Sequence, residues 1–428
     1  MRPDRRRRRS WRAVALAAIG LAVVAAAHAG DEALLPADRE VAAVLARTPA
    51  WRAARQAIET EREARRQGVV GPQEWIGSVN VAQRRIRDSA LGNTLEWEAG
   101  LDRTLRRPGK RDAADRLGGS RVGLAQAMGS LAWREQARAL LDRYGAWLRE
   151  REAARVWREQ IALLEAQADA VAKRQRLGDA ARIERVQVEA ALAQAQAQAV
   201  VADGRAQAAR EALERQFPEL AFPQPARLPD PPEVPADDAA WIDAQLAHAP
   251  ELESARREWQ VAEEQLRVEQ LERRPDPTVG LRLGQARDAN EQVVGVVLSI
   301  PFGGEYRAAA ARAAASRATT AALRRDDAQR RAAVEAGLRL REARLAQGGW
   351  QRARTAQDKL EQAAQGLARG YQLGEGSLAD LLAARRLANE QRLAASNAAT
   401  DAWVARWRLL LESGRLWEES AAPVQAGG

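Results

Sequence analysis

Two spacings of apolar residues alternate along this chain. Leu378, Leu381, Leu382 and Leu387, and likewise Ile183, Val186 and Ala190, follow the three-to-four step of one helix face. From Leu95 to Leu105 the odd positions are mostly apolar and the even ones polar or Gly, the period of two that a strand requires. Val279, Leu281 and Leu283 alternate with Thr278, Gly280, Arg282 and Gly284. Val294, Val296, Leu298 and Ile300 share a face opposite Val293, Gly295, Val297 and Ser299, and a weaker fourth alternation covers residues 74–84. The spacing predicts two strand hairpins, 74–84 with 94–105 and 276–283 with 292–300, joined by polar loops at 85–93 and 284–291. Each strand is near the ~9–11 residues that a tilted strand needs to cross a bilayer.

The remaining segments read as helix. One starts at Pro36-Ala37-Asp38 and runs to about residue 66. Residues 111–176 and 307–372 contain no proline and are rich in Ala, Arg, Leu, Glu and Gln, so each could form a rod of roughly 100 Å at 1.5 Å per residue. Gly145, Gly337, Gly348 and Gly349 are expected to bend or interrupt these rods. Return helices are expected over 180–216 and 377–412. The connections are short, Leu177-Gly178-Asp179 and Leu373-Gly374-Glu375-Gly376, and a Gly past a helix end supplies the left-handed cap. Short connections make antiparallel neighbours, which gives two long helical hairpins.

The chain therefore repeats itself. Arg176-Leu177-Gly178-Asp179 returns as Gln372-Leu373-Gly374-Glu375, 196 positions on, and Pro36-Ala37-Asp38 returns as Pro235-Ala236-Asp237. The first repeat occupies residues 30–217 and the second 236–417. Between them, 218–235 is a Pro-rich linker, and 418–428 is expected to be a disordered tail.

Composition supports rods over a globular enzyme: 4% aromatic and 29% charged residues. Residues 1–29 read as a cleaved signal peptide. Arg5–Arg9 and Arg12 form the basic region, Ala13–Ala27 the apolar one, and Ala27-His28-Ala29 the small-residue cleavage site. Removing a segment of net +6 leaves +3 of the chain's +9, so the basic balance does not point to nucleic acid. Cysteine is absent, which excludes disulfides, a thiolate metal site and a lipidated N-terminal cysteine. Nothing after the signal is apolar enough to span as a helix. The mature chain would keep one His and has no phosphate-cradling loop or nucleophile elbow, so no catalytic function or cofactor is expected.

An open four-stranded sheet in a bilayer leaves backbone groups on both edges facing lipid, at several kcal/mol each. Four strands are too few to close alone, whereas several copies of the chain can close together. The order of elements would set a barrel at one end of the rods and both Leu-Gly turns at the other.

With these features the chain resembles the TolC-like outer-membrane efflux proteins over essentially its whole mature length. The resemblance is carried by the duplication and by Gly71-Pro72-Gln73-Glu74-Trp75. It is also carried by Arg107-Pro108-Gly109-Lys110, the run Ser299-Ile300-Pro301-Phe302-Gly303-Gly304, and Tyr371-Gln372-Leu373-Gly374-Glu375-Gly376-Ser377. It implies a mainly α fold with a small β part: duplicated long α-helical hairpins and four transmembrane strands per chain, closed as a trimeric 12-stranded barrel on an α-helical tunnel. The implied protein is a homotrimeric exit duct in outer-membrane lipid, working with a periplasmic adaptor (membrane fusion) protein and an inner-membrane pump of the resistance-nodulation-division type. The resemblance places a periplasmic gate at Asp380, with Glu184 as its repeat partner, and adaptor contacts at Leu177, Gly178, Leu373, Gly374 and Ser377. A second carboxylate common in the family three residues on is Ala383 here, so the gate would be weaker or built differently. As a plain helix charge, Asp380 would instead simply favour the N-terminal dipole. The Glu-Trp and Pro-Gly-Lys strand borders are more similar to the heavy-metal efflux branch than to the drug branch. His248 and Met128 alone would not hold a metal, so ions would pass through. A periplasmic adaptor, with one hairpin flanked by β domains, and a soluble periplasmic coiled-coil scaffold are the competing expectations.

Overall fold

The computed structural model describes residues 34–85, 93–286, 291–302 and 304–419. The expected signal peptide, most of the two polar hairpin loops, Gly303 and nearly all of the expected tail lie outside these residues.

The elements follow one order twice. Helices α1 (Asp38–Leu45) and α2 (Pro49–Val70) precede strands β1 (Trp75–Arg85) and β2 (Asn93–Thr104), then α3 (Lys110–Arg176) and α4 (Arg182–Gln216). The second pass is α5 (Asp238–Ala247), α6 (Pro250–Glu272), β3 (Thr278–Ala286), β4 (Glu291–Ser299), α7 (Glu305–Leu373) and α8 (Leu378–Glu412). The long helices have 67 and 69 residues and the return helices 35 each, so the duplication holds at the level of element lengths.

Two expectations need correction. The helix expected from Pro36 to about residue 66 is two helices. Thr48 is buried and its hydroxyl donates to the Leu45 carbonyl at 2.7 Å, closing α1. Pro49 then opens α2 at its first position, where the N–H has no intrahelical partner to lose. Pro250 opens α6 in the same way. The glycines also fail to break the rods, since Gly145, Gly337, Gly348 and Gly349 all lie within continuous helix. At Gly145 the reason is close approach: a Cβ would lie 2.4 Å from Val404 Cγ2 on α8. Elsewhere the helix absorbs roughly 1 kcal/mol per glycine through its many good helix formers and its i,i+4 ion pairs. Arg155–Glu159 at 2.6 Å and Arg339–Glu335 at 2.8 Å are examples.

The chain forms two compact units. One comprises the residues up to Pro49, Trp133–Ala249 and those from Ala333 on. Its aromatic centre is Tyr144, with ring centroids 5.7 Å from Trp147, 5.6 Å from Phe222 and 5.9 Å from Trp407. Burial would raise the Glu412 carboxyl, but the Arg138 fork at 2.6 and 2.8 Å outweighs it and holds that group below its usual range. The Pro-rich linker is strapped down here, because prolines offer carbonyls without N–H groups. Trp403 Nε1 donates to the Pro229 carbonyl at 2.9 Å and Arg406 to that of Glu233 at 3.3 Å.

The other unit comprises Ala50–Ala132 and Pro250–Ala332 and holds the sheet. Its strand-to-helix crossing is tied by Lys110. Only 3% exposed, Lys110 sets Nζ 2.7 Å from Glu272 and 3.0 Å from Asp276. Arg106 donates to the carbonyls of Gly68, Val69 and Lys110, gathering the end of α2 and the start of α3.

Candidate channel wall and helical tips

The four strands form one antiparallel sheet in the order β1-β2-β3-β4, leaving β1 and β4 as edges. Register assigns the faces, since directly paired residues point the same way. Val79↔Ala99↔Leu283↔Val294 and Gly77↔Leu101↔Leu281↔Val296 lie on one face, which is almost entirely apolar. These side chains are exposed: Val79 at 75%, Val294 at 79% and Val296 at 78%. The same face carries Trp75 and Trp97, in rows six residues apart, which is about 20 Å along a strand. Trp75 lies under the Arg103 guanidinium at 5.1 Å, and Trp97 Nε1 donates to Gln285 Oε1 at 2.9 Å. An apolar band edged by tryptophans with polar partners is the pattern of a strand surface set between two lipid–water boundaries.

The opposite face carries the charged side chains, with Ile76, Val293 and Val297 among them. Arg282 forks onto Asp102 at 2.7 and 2.9 Å, with Glu98 at 3.6 Å, and Arg84 pairs with Glu96 at 2.9 Å. Two glycines make space for the fork. A Cβ on Gly100 would lie 2.7 Å from Arg282 Nη1, and one on Gly280 would lie 1.9 Å from Asp102 Oδ1. No described helix is long and apolar enough to cross a membrane. Among the described residues no cluster of three or more His, Cys, Asp or Glu could hold a metal ion.

The helical tips belong to the other unit, and their backbones repeat bond for bond. The N–H of Gly178 donates to the Gln175 carbonyl at 3.1 Å and that of Asp179 to Arg174 at 2.9 Å. In the second repeat, Gly374 donates to Tyr371 at 3.2 Å and Glu375 to Gly370 at 2.9 Å. Gly178 and Gly374 take φ of 88° and 80°, the left-handed step that this cap demands of glycine. Leu177 and Leu373 project beside them, 77% and 76% exposed.

The side chains break the symmetry. At the second tip Ser377 caps α8: its Oγ accepts from the Asp380 N–H at 3.1 Å, and its hydroxyl donates to Asp380 Oδ2 at 2.7 Å. The counterpart of Ser377 is Ala181, which gives α4 no side-chain cap. The counterpart of Asp380 is Glu184, and its carboxylate accepts instead from the Tyr371 hydroxyl at 2.6 Å. Tyr371 belongs to the second repeat, so this bond ties the two hairpins together. Its ring is buried with Val171, Val188, Leu378 and Leu381, and the Arg174 guanidinium covers it at 4.9 Å. Burial and the bond to Glu184 push the Tyr371 phenol up to about 12, against a smaller opposing pull from Arg174. Thus Asp380 and Glu184, aligned by sequence, have different partners. The sequence marks Tyr371 only as part of the tip motif and gives neither it nor Arg174 a role. The signal was present in the repeat offset, where Tyr371 faces Gln175 and only one repeat carries the phenol.

No protein-family model and no curated protein matches the sequence. Solved structures do match the fold. The outer membrane protein VceC of Vibrio cholerae superposes with a TM-score of 0.69 at 16% identity, covering 90% of this chain and all of that one. CusC, described by its transmembrane channel formation, gives 0.72 at 14% identity over 87% and 91% of the two chains. The MtrE outer membrane channel of Neisseria gonorrhoeae, in its open state, gives 0.64 at 16% identity over 89% and 90%. The chain is thus mainly helical with a small antiparallel sheet, and it has the fold of these outer-membrane channel proteins.

Proposed function

We propose that the chain is the outer-membrane exit duct of a tripartite efflux system, conducting passively and catalysing nothing. One observation carries this reading: an exposed, tryptophan-edged apolar sheet face on a sheet with two unpaired edges. In lipid those edges leave N–H and C=O groups unsatisfied, and copies of the chain remove the penalty by joining β4 of one to β1 of the next. Three copies give a barrel of twelve strands, an even number within the known range. The ion-paired face then lines the lumen, and the signal peptide delivers the chain for export.

At the periplasmic tips, three Asp380 carboxylates would converge and favour cations, in keeping with metal cations as cargo, while the Tyr371–Glu184 bond braces the hairpins of each chain. Exposed Leu177 and Leu373, with Gly178, Gly374 and Ser377, would receive the adaptor, which in turn docks the inner-membrane pump. The test is to extract the processed chain from outer membranes, show a heat-resistant trimer on electrophoresis, and record conductance in planar bilayers. A stable monomer in plain buffer that forms no pores would make it a periplasmic scaffold or adaptor instead.

A further inference from the structure

Away from the tips, α3, the proline strap, α7 and α8 enclose a cavity of about 150 Å³. Four arginines line it (Arg155, Arg227, Arg354 and Arg392) against four carboxylates (Glu152, Glu159, Asp230 and Glu361). The wall is formally neutral, so it selects no net charge, yet positive and negative groups stand ready in it.

Most of these groups are already paired. Arg155 bonds Glu152 at 2.8 Å and Glu159 at 2.6 Å. Arg392 lies 2.7 Å from Glu361 and 3.5 Å from Glu159, and Arg227 reaches Glu159 at 3.3 Å. Three groups remain. Glu152 is 2% exposed, and its Oε1 is buried with no hydrogen-bond partner. A buried carboxylate oxygen in that state requires a donor. Asp230 forms no ion pair among the described residues. Arg354 has a 3.4 Å contact with Asp358, one turn along its own helix and half exposed, and its charge helps to lower Glu361, which is already forked by Arg392; both are weak commitments. Trp350 adds an aromatic wall suited to a cationic nitrogen.

We propose that this cavity binds a small zwitterion of the α-amino acid type, its ammonium against Glu152 Oε1 and Asp230 and its carboxylate on Arg354. The spare acceptors and the spare donor match those two ends, and the volume, equal to about five waters at ~30 Å³ each, suits a small side chain. Such a site stands whether or not the chain conducts, and its test is independent of pore formation.

The experiment is calorimetric titration of the detergent-solubilised full chain with glycine and L-alanine, and with methylamine and acetate, each of which carries one of the two charges. The amino acids are expected to bind saturably, and methylamine and acetate at least about tenfold more weakly. Glu152→Gln is expected to weaken amino-acid binding at least about tenfold. Because Glu152 is buried and its replacement could disturb folding, Arg354→Met, at a half-exposed position, is the second variant, with a similar loss expected. Asp358→Asn leaves binding intact. No saturable heat with either amino acid, methylamine binding as tightly as glycine, or unchanged binding by a folded Arg354→Met chain would each overturn the assignment.

Discussion

Replacing Tyr371 by Phe removes one oxygen from the tip and little else. The ring stays among Val171, Val188, Leu378 and Leu381, and Arg174 keeps an aromatic face to cover. What disappears is the 2.6 Å bond to Glu184 that joins the two hairpins. A hydrogen bond to a charged acceptor contributes about 1.5–3 kcal/mol. Glu184 is only half-buried, so water recovers part of that, and we expect a loss of about 1.5 kcal/mol. If the bond holds the braced arrangement of the tips, the ratio of closed to open channels falls about tenfold. Single-channel recording of the purified protein in planar bilayers reads this ratio directly, and a cycle with Glu184→Ala, which leaves no acceptor for the phenol, isolates the pair. A coupling energy below about 0.3 kcal/mol would refute the brace.

The same bond predicts a pH response. The phenol's folded value is raised above its ordinary 10.0 to about 12, so its stabilisation is complete below pH 10 and is lost as pH rises through 12. The open fraction of the wild-type protein is therefore expected to rise progressively over that window, and the Phe variant to lack the step.

Three further outcomes are expected. Lys110→Met leaves the carboxylates of Glu272 and Asp276 together without their cation, at a cost of about 2–4 kcal/mol once the partial exposure of Glu272 is allowed for. Thermal melting measures it, and an unchanged melting temperature would show that the clasp contributes nothing. Gly280→Ala drives a methyl to 1.9 Å from Asp102 Oδ1 and must break the Arg282 fork, lowering stability by about 1–3 kcal/mol, whereas Gly295→Ala meets nothing within 4 Å and serves as the silent control. Asp380→Ala should weaken block by multivalent cations and raise leak current, and unchanged conductance and block would exclude it from gating.

Legibility in the sequence followed the physics of each element. The strands were readable because one face meets a single solvent along its length, so period two survives undisturbed in residues such as Val279, Leu281 and Leu283. The rods were readable from composition and from the absence of proline. Helix breaks were read in the wrong places: Pro49 looked internal but sits where a helix can begin, and Gly145 looked like a break but admits Val404. The tip caps were visible as Leu-Gly pairs. The Tyr371–Glu184 bond was not, because it spans 187 residues and depends on which helices become neighbours. The cavity was equally hidden, since Glu152, Asp230 and Arg354 look like ordinary charges on helix and loop until the strap folds over them.

The unequal tips bear on the history of the chain. The first half contributes an acid with no phenol of its own; the second contributes the phenol, and secures its own acid with a serine. A molecule assembled from two first halves would carry Glu184 twice with nothing to grasp it. One assembled from two second halves would offer two phenols, each facing an aspartate one methylene shorter. The twin segments have diverged into complements, and their fusion into one polypeptide is no longer a convenience that separation could undo.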